Sequence, residues 1–225
     1  MKRSAADVWE ELRNQVDFLA EAGGGFVLRR PEDGLEAARR KALEGMDAQV
    51  RDCKLCALHT LRTKAVPGEG DRSAELMFVG EAPGRDEDLQ GRPFVGRAGQ
   101  LLRKIVAAMT FREDEVFITN VVKCRPPDNR EPFREEIEAC APYLERQIEL
   151  IRPRVIVTLG KTAADRFVPG RGGMGERRGR FGDYRGIPVM PTFHPSYLIR
   201  NEGDRALKRM VWEDMKQVMA LLGRK

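Results

Sequence analysis

Residues 75–99 read ELMFVGEAPGRDEDLQGRPFVGRAG, and this stretch decides the fold. Residues 75–79 are a short apolar run with aromatic and β-branched members, the pattern of a buried strand. Residues 80–84 then break the chain sharply, with Gly80, Pro83 and Gly84 around one carboxylate, Glu81. Acidic residues follow, then Phe94 between Pro93 and Val95, then a helical pattern from about Ala98. A strand ending in a tight glycine turn beside a helix start arranges backbone N–H groups and side chains around an open crevice. The active site is expected here.

Outward from this point, strands are expected at 75–79, 116–121, 154–159 and 187–192, and helices at 98–110, 133–151, 161–167 and 204–222. This alternation predicts an α/β fold: a three-layer α/β/α sandwich with a central four-stranded parallel sheet and right-handed crossovers. The first strand ends in Glu81, the second in Asn120 and Cys124, the third in Gly160-Lys161-Thr162, the fourth in His194-Pro195-Ser196. In a parallel sheet all four ends open on one edge, where open α/β sheets bind ligands.

Residues 1–45 read as an appendage and 46–225 as the main domain. Val8, Trp9, Leu12, Val16 and Leu19 form an amphipathic helical pattern over 4–22, closed by Gly23-Gly24-Gly25, and residues 31–34 add a second break. The appendage is read either as a helix packed on the main domain or as an arm for a protein partner. A net charge of +5 admits nucleic acid as a partner without requiring it. No apolar run approaches the roughly 20 residues of a membrane span. Lys2 and Arg3 are not followed by a signal-type apolar segment, so a cytoplasmic location with no membrane association is expected.

Four cysteines are present, and only Cys53 and Cys56 are close, as C-x2-C; Cys124 and Cys140 stand apart. In a reducing compartment this set reads as a metal site, and the spacing leaves zinc and an iron–sulfur cluster both open. Gly160-Lys161-Thr162 resembles the end of a P-loop, but Val155 stands where its first glycine belongs, and no G-x-G-x-x-G follows any strand. Residues 170–182, GRGGMGERRGRFG, carry Arg171, Arg177, Arg178 and Arg180, which with Arg185, Arg200, Arg205 and Lys208 form a cationic band suited to phosphate contact. Asn120 sits in an apolar run where an amide needs a partner. It could read a donor and an acceptor on a planar ligand edge. Phe94 is either packing or a stacking platform, and His194, at a strand end before Pro195 and Ser196, reads as a site residue.

These pieces together resemble the family 4 uracil-DNA glycosylases, the iron–sulfur type. The matching stretches are GEAPGRDED (80–88), GRPFVGRAGQLL (91–102), ITNVVKCRPP (118–127) and HPSYLIRN (194–201), and the resemblance covers about residues 48–222. It implies that Cys53, Cys56, Cys124 and Cys140 ligate a structural 4Fe–4S cluster. It also implies an enzyme that flips uracil out of single- or double-stranded DNA and hydrolyses its N-glycosidic bond. By this resemblance Phe94 stacks on the base, Asn120 binds O4 and N3–H, Glu87 lies near C5 and helps exclude thymine, and His194 hydrogen-bonds O2. Backbone amides around Gly80 and Ala82 position the attacking water, and Leu198 fills the gap left by the flipped base, with Tyr197 and Arg200 beside it.

Ala82 stands where the best-known uracil-DNA glycosylase family carries a water-activating aspartate, which family 4 also lacks. Glu81 is then the first candidate for that task and Asn120 the second. Residues 125–131 are short and contain no histidine, which excludes the covalent trapping seen in a related subfamily. A monomer is expected. The alternative reading is a DNA-binding iron–sulfur protein without catalysis.

Overall fold

The computed structural model describes residues 31–224. The expected helix at 4–22 and its glycine link lie outside the described residues. In chain order the main elements are α1 (Pro31–Asp52), β1 (Glu69–Gly70), β2 (Leu76–Gly80), α2 (Arg85–Gln90), α3 (Arg97–Ala108), β3 (Val116–Asn120), α4 (Arg134–Ile151), β4 (Val155–Leu159), α5 (Lys161–Phe167), α6 (Met174–Arg177), β5 (Gly182–Tyr184), β6 (Ile187–Thr192), α7 (Pro195–Arg200) and α8 (Arg205–Leu221).

One six-stranded sheet runs in the order β1-β3-β2-β4-β6-β5. Its four central strands are the expected ones, and they are mutually parallel. The sheet is not limited to four strands, however. β1 adds antiparallel to β3 and β5 antiparallel to β6, so each edge carries a short antiparallel strand. Segments of two and three residues are too short to show the alternation by which a strand is read.

β2 is buried on both faces, which is why it reads as an unbroken apolar run. Its side chains alternate between two cores. Leu76 and Phe78 pack with Leu102 and Val106 of α3 and with Val211, Met215 and Val218 of α8. Met77 and Val79 pack with Leu43 and Met46 of α1, Leu144 and Ile148 of α4, and Ala163 and Phe167 of α5. Three layers result. From β2 the chain moves to β3 on one side, then returns to β4 on the other, so the order reverses between β2 and β4. That switch point opens a crevice at the carboxyl ends of the strands.

Residues 31–34, read from sequence as a break, form the first turn of α1. A proline at the first helical position costs little, because that N–H has no intrahelical partner. By contacts the chain divides into residues 1–38 and 39–225. Within the larger unit Leu43, Met46 and Val50 lie on one face of α1 and are buried. Leu43→Ala is therefore expected to destabilise residues 39–225 by about 2–5 kcal/mol in urea unfolding. A change within about 0.5 kcal/mol would mark the residue as surface instead.

Candidate functional site

The site is built on a close approach. β2 and β3 pair so that Gly80 stands level with Asn120. A Cβ on Gly80 would lie 2.4 Å from Asn120 Oδ1 and 2.6 Å from Phe94 Cζ, so amide and ring meet over a bare Cα. Phe94 holds a left-handed φ of +50°, unfavourable for a bulky side chain and maintained by its surroundings. One support is Gly99 of α3, where a Cβ would fall 1.5 Å from the Phe94 carbonyl oxygen. Another is Glu87, whose Oε1 accepts the Gly96 N–H at 2.8 Å and ties down the loop that carries Phe94.

A cleft of about 420 Å³ opens above this point and brings together Glu81, Ala82, Glu87, Phe94, Asn120 and His194. Arg130, Lys161 and Arg200 also line it. Asn120 is only 1% exposed, and its Oδ1 has no hydrogen-bond partner. Leaving such an atom unpaired costs about 1–3 kcal/mol, so its position calls for a donor supplied by a ligand. Below it, the buried Lys123 ammonium donates to the Asn120 carbonyl at 2.7 Å, Thr119 Oγ1 at 2.6 Å and Gln147 Oε1 at 2.7 Å. A larger cleft of about 600 Å³ on the β1 side is lined by Arg72, Arg103, Glu69 and Glu113 among others. Its charges pair with neighbours, as in Arg103–Glu113 at 2.9 Å and Arg72–Asp47 at 2.6 Å.

His194 caps the start of α7. Its Nδ1 accepts the Ser196 N–H at 3.1 Å and lies 2.7 Å from Ser196 Oγ. A backbone N–H can only donate, so the ring proton sits on Nε2, and the neutral ring keeps Nε2–H as its free donor. Desolvation, reinforced by the Arg200 charge, pulls its pKa down to about 4. Its ring centroid lies 5.9 Å from that of Phe94. Glu81 is half-buried, and its Oε2 accepts from Thr162 Oγ1 at 2.5 Å. Burial raises its pKa; the Thr162 hydrogen bond opposes the rise and the charge of Glu131 adds to it.

Two expectations need correction. Leu198 is 3% exposed and packs in the core beneath α7, so it is not available to enter a DNA stack. The exposed side chain of that turn is Tyr197, at 39%, stacked on Phe193 with centroids 5.2 Å apart. Nor are all the arginines of the glycine-rich loop free for phosphate. Arg177 pairs with Asp165 at 2.5 Å and Arg178 with the buried Asp214, so both staple the loop to the protein. Arg171, Arg180, Arg200, Arg205 and Lys208 remain exposed.

Cys53, Cys56, Cys124 and Cys140 line one small cavity with Arg62 and Tyr143. Among the described residues no three Cys, His, Asp or Glu side chains converge as ligands of a single metal ion. Four sulfurs around a shared cavity suit a cluster, in which each thiolate binds a different iron, better than one zinc ion. N–H donors already face three of them: Arg62 Nη1 to Cys124 at 2.9 Å, Lys123 N to Cys140 at 3.3 Å and Leu55 N to Cys53 at 3.5 Å. Burial pushes the Cys140 thiol up to about 11 and raises Cys56 and Cys124. A bound metal would invert that preference toward thiolate.

A buried phenyl ring, a buried amide oxygen without a partner and a neutral imidazole thus lie together beneath a cationic rim, a set that can face a planar group with donors and acceptors on its edges. The chain belongs to the uracil DNA glycosylase superfamily, whose family model matches residues 67–216. Among its curated relatives, a type-4 uracil-DNA glycosylase from Thermotoga maritima is 46% identical over 82% of this chain and 96% of its own length. One from Sulfurisphaera tokodaii is 46% identical over 80% and 84%. A type-5 uracil-DNA glycosylase from Pyrobaculum aerophilum is more distant, at 33% over 69% and 74%.

Because the folded state depresses the His194 pKa, it favours the neutral ring. The resulting stabilisation is full above the unfolded pKa, about 6.5, and is lost as pH falls toward about 4. NMR of the imidazole nitrogens is expected to show His194 as the neutral Nε2–H tautomer at pH about 6, unlike an unperturbed histidine, which would be mostly protonated there.

Proposed function

We propose that this protein flips uracil out of DNA and hydrolyses its N-glycosidic bond, releasing the free base and leaving an abasic site. The observation that carries this reading is the unpaired, buried Asn120 amide beside Phe94 in a chain of this superfamily. Uracil presents N3–H and O4 on adjacent positions, which the amide oxygen and nitrogen can take together. Cytosine presents the reverse pattern, leaving like groups facing each other, and site groups left unpaired are the stronger form of discrimination. Phe94 supplies the stacking face. Glu87, tied to the Gly96 N–H and lining the cleft, takes the role of crowding a methyl at C5.

As the bond breaks, positive charge develops on the sugar and negative charge on uracil O2 and its ring. The neutral His194 Nε2–H can donate to O2 at that moment, and a fixed donor to a developing oxyanion is worth about 10²–10³ in rate. Ala82 offers no carboxylate, so Glu81 takes the water-activating role, with Gly80 and Ala82 amides helping to place the water. A carboxylate whose pKa is raised by burial is better matched to proton abstraction near neutrality. Tyr197, rather than Leu198, is the exposed aromatic beside the cleft and takes the part of the wedge. Arg171, Arg180, Arg200, Arg205 and Lys208 contact phosphates.

The four cysteines fit a 4Fe–4S cluster that pins residues 53–56 to the 124–140 region and supplies structure rather than chemistry. The protein acts as a monomer on DNA in the cytosol, and the segment ahead of Leu43, which is itself buried in the core, serves as an arm for a protein partner. Among the described residues no helix is long and apolar enough to cross a membrane. No observation favours a non-catalytic DNA-binding role.

The test is release of uracil from U·G, U·A and single-stranded oligonucleotides, read by alkali cleavage at the abasic site. Asn120→Ala and His194→Ala are each expected to lose about 10²-fold or more in rate with the visible iron–sulfur absorbance retained. No cleavage on any substrate by the wild type would refute the assignment. Cys140→Ser is expected to lose iron and visible absorbance and to unfold at lower urea. Full iron content in this variant would remove Cys140 from the ligand set.

A further inference from the structure

The Gly160-Lys161-Thr162 turn is not a nucleotide loop, yet the Thr162 hydroxyl joins Glu81 to a second carboxylate, Glu131. Thr162 Oγ1 lies 2.5 Å from Glu81 Oε2 and 3.3 Å from Glu131 Oε1. The three differ in exposure: Thr162 is buried, Glu81 half-buried and Glu131 exposed. Glu131 is held in place by its own backbone, whose carbonyl accepts from Arg130 Nη1 at 3.0 Å. One hydroxyl carries one proton, so it can donate to only one of these two carboxylates at a time. The set is short by one proton, and a hydrolytic reaction generates one at Glu81.

We propose that Thr162 and Glu131 form the exit path for the proton that Glu81 removes from the attacking water. This rests on the glycosylase reading above, with Glu81 as the base. The water oxygen bonds to C1′ as the C1′–N1 bond breaks, and that electron pair leaves with uracil as its anion. One water O–H breaks and its proton goes to Glu81. Glu81 then donates to Thr162 Oγ1 while Thr162 passes its own proton to Glu131, which releases it to solvent. The carboxylate of Glu81 is restored, and nothing is oxidised or reduced.

The other charged groups of the cleft are committed elsewhere. Arg130 is held bidentate by Glu136 at 2.7 and 2.9 Å, Lys161 by Asp165 at 2.8 Å, and Glu87 by Gly96 N–H. His194 uses Nδ1 on Ser196 and is neutral, and Arg200 lies at the rim beside it. Glu131 is thus the carboxylate that faces Glu81 through a shared hydroxyl. The path through Thr162 leads from the half-buried Glu81 to the exposed Glu131.

The experiment is single-turnover uracil release across acid to neutral pH by wild type, Thr162→Val, Thr162→Ser and Glu131→Gln, with thermal unfolding as a check on folding. Thr162→Val, which keeps the shape but not the hydroxyl, is expected to lose about tenfold to 10²-fold in kcat with KM unchanged, and Thr162→Ser to recover most of it. Activity needs ionised Glu81, so it falls as pH drops through that group's pKa. Glu131→Gln removes a neighbouring negative charge, favours ionised Glu81, and is expected to shift the acid limb to lower pH while reducing kcat. Because Glu131 is exposed, this variant tests the path even where Thr162→Val fails to fold. Wild-type kcat and an unmoved acid limb in Glu131→Gln would overturn the exit path while leaving the glycosylase assignment intact. Absence of uracil release by the wild type would overturn both.

Discussion

The structure depends on the meeting of the Asn120 amide and the Phe94 ring over the bare Cα of Gly80. That contact exists only because β2 and β3 are parallel and in register, with Gly80 level with Asn120. A slip of one residue would turn Asn120 to the opposite face of the sheet and into the core on the α4 side. The register is held by burial on both faces: Leu76 and Phe78 belong to one core, Met77 and Val79 to the other. A long apolar alternation thus serves a single polar side chain at its end. The same demand explains the unfavourable backbone of Phe94, which persists because Gly99 and Glu87 fix the loop on either side of it.

Around that contact the protein keeps its charged and neutral groups apart. His194 is held neutral by desolvation and presents a donor without charge. Glu81 is a carboxylate whose burial makes it a better proton acceptor. In the proposed reaction, charge separates between sugar and base. A neutral donor at the base and an anion toward the sugar match that separation better than an ion pair would, because a pair would neutralise itself before the bond broke. Arg200 and Lys161 stay exposed at the rim of the cleft.

Much of this was legible in the sequence, for physical reasons. The four parallel strands are short apolar runs, and each ends in residues that an apolar core would not tolerate, so both fold and edge could be read together. What escaped reading was set by distance or phase. Thr162 is far along the chain from Glu81, and Asp214 from Arg178, so neither pair leaves a local mark. The six residues of α7 are too few to fix which side faces inward, and the structure buries Leu198 and exposes Tyr197. Pro31, Gly34 and Gly45 look like interruptions, yet all lie within α1, where the packing of Leu43, Met46 and Val50 outweighs the poor helix propensity of glycine.

Lys123 shows how the cysteine region and the base pocket share one support. Its backbone N–H donates to Cys140 Sγ, while its buried ammonium holds the Asn120 carbonyl, Thr119 and Gln147. Gln147 in turn donates to the Pro67 carbonyl at 2.8 Å, joining α4 to the segment leading into β1. Burial brings the Lys123 pKa down to about 8, and the charges of Cys140 and Asp47 oppose that fall. Anything that ties the loop bearing Cys124 to Cys140 of α4 therefore also braces the strand end bearing Asn120. In the proposed reaction, a metal centre held by these cysteines would support the site through Lys123 without taking part in any step.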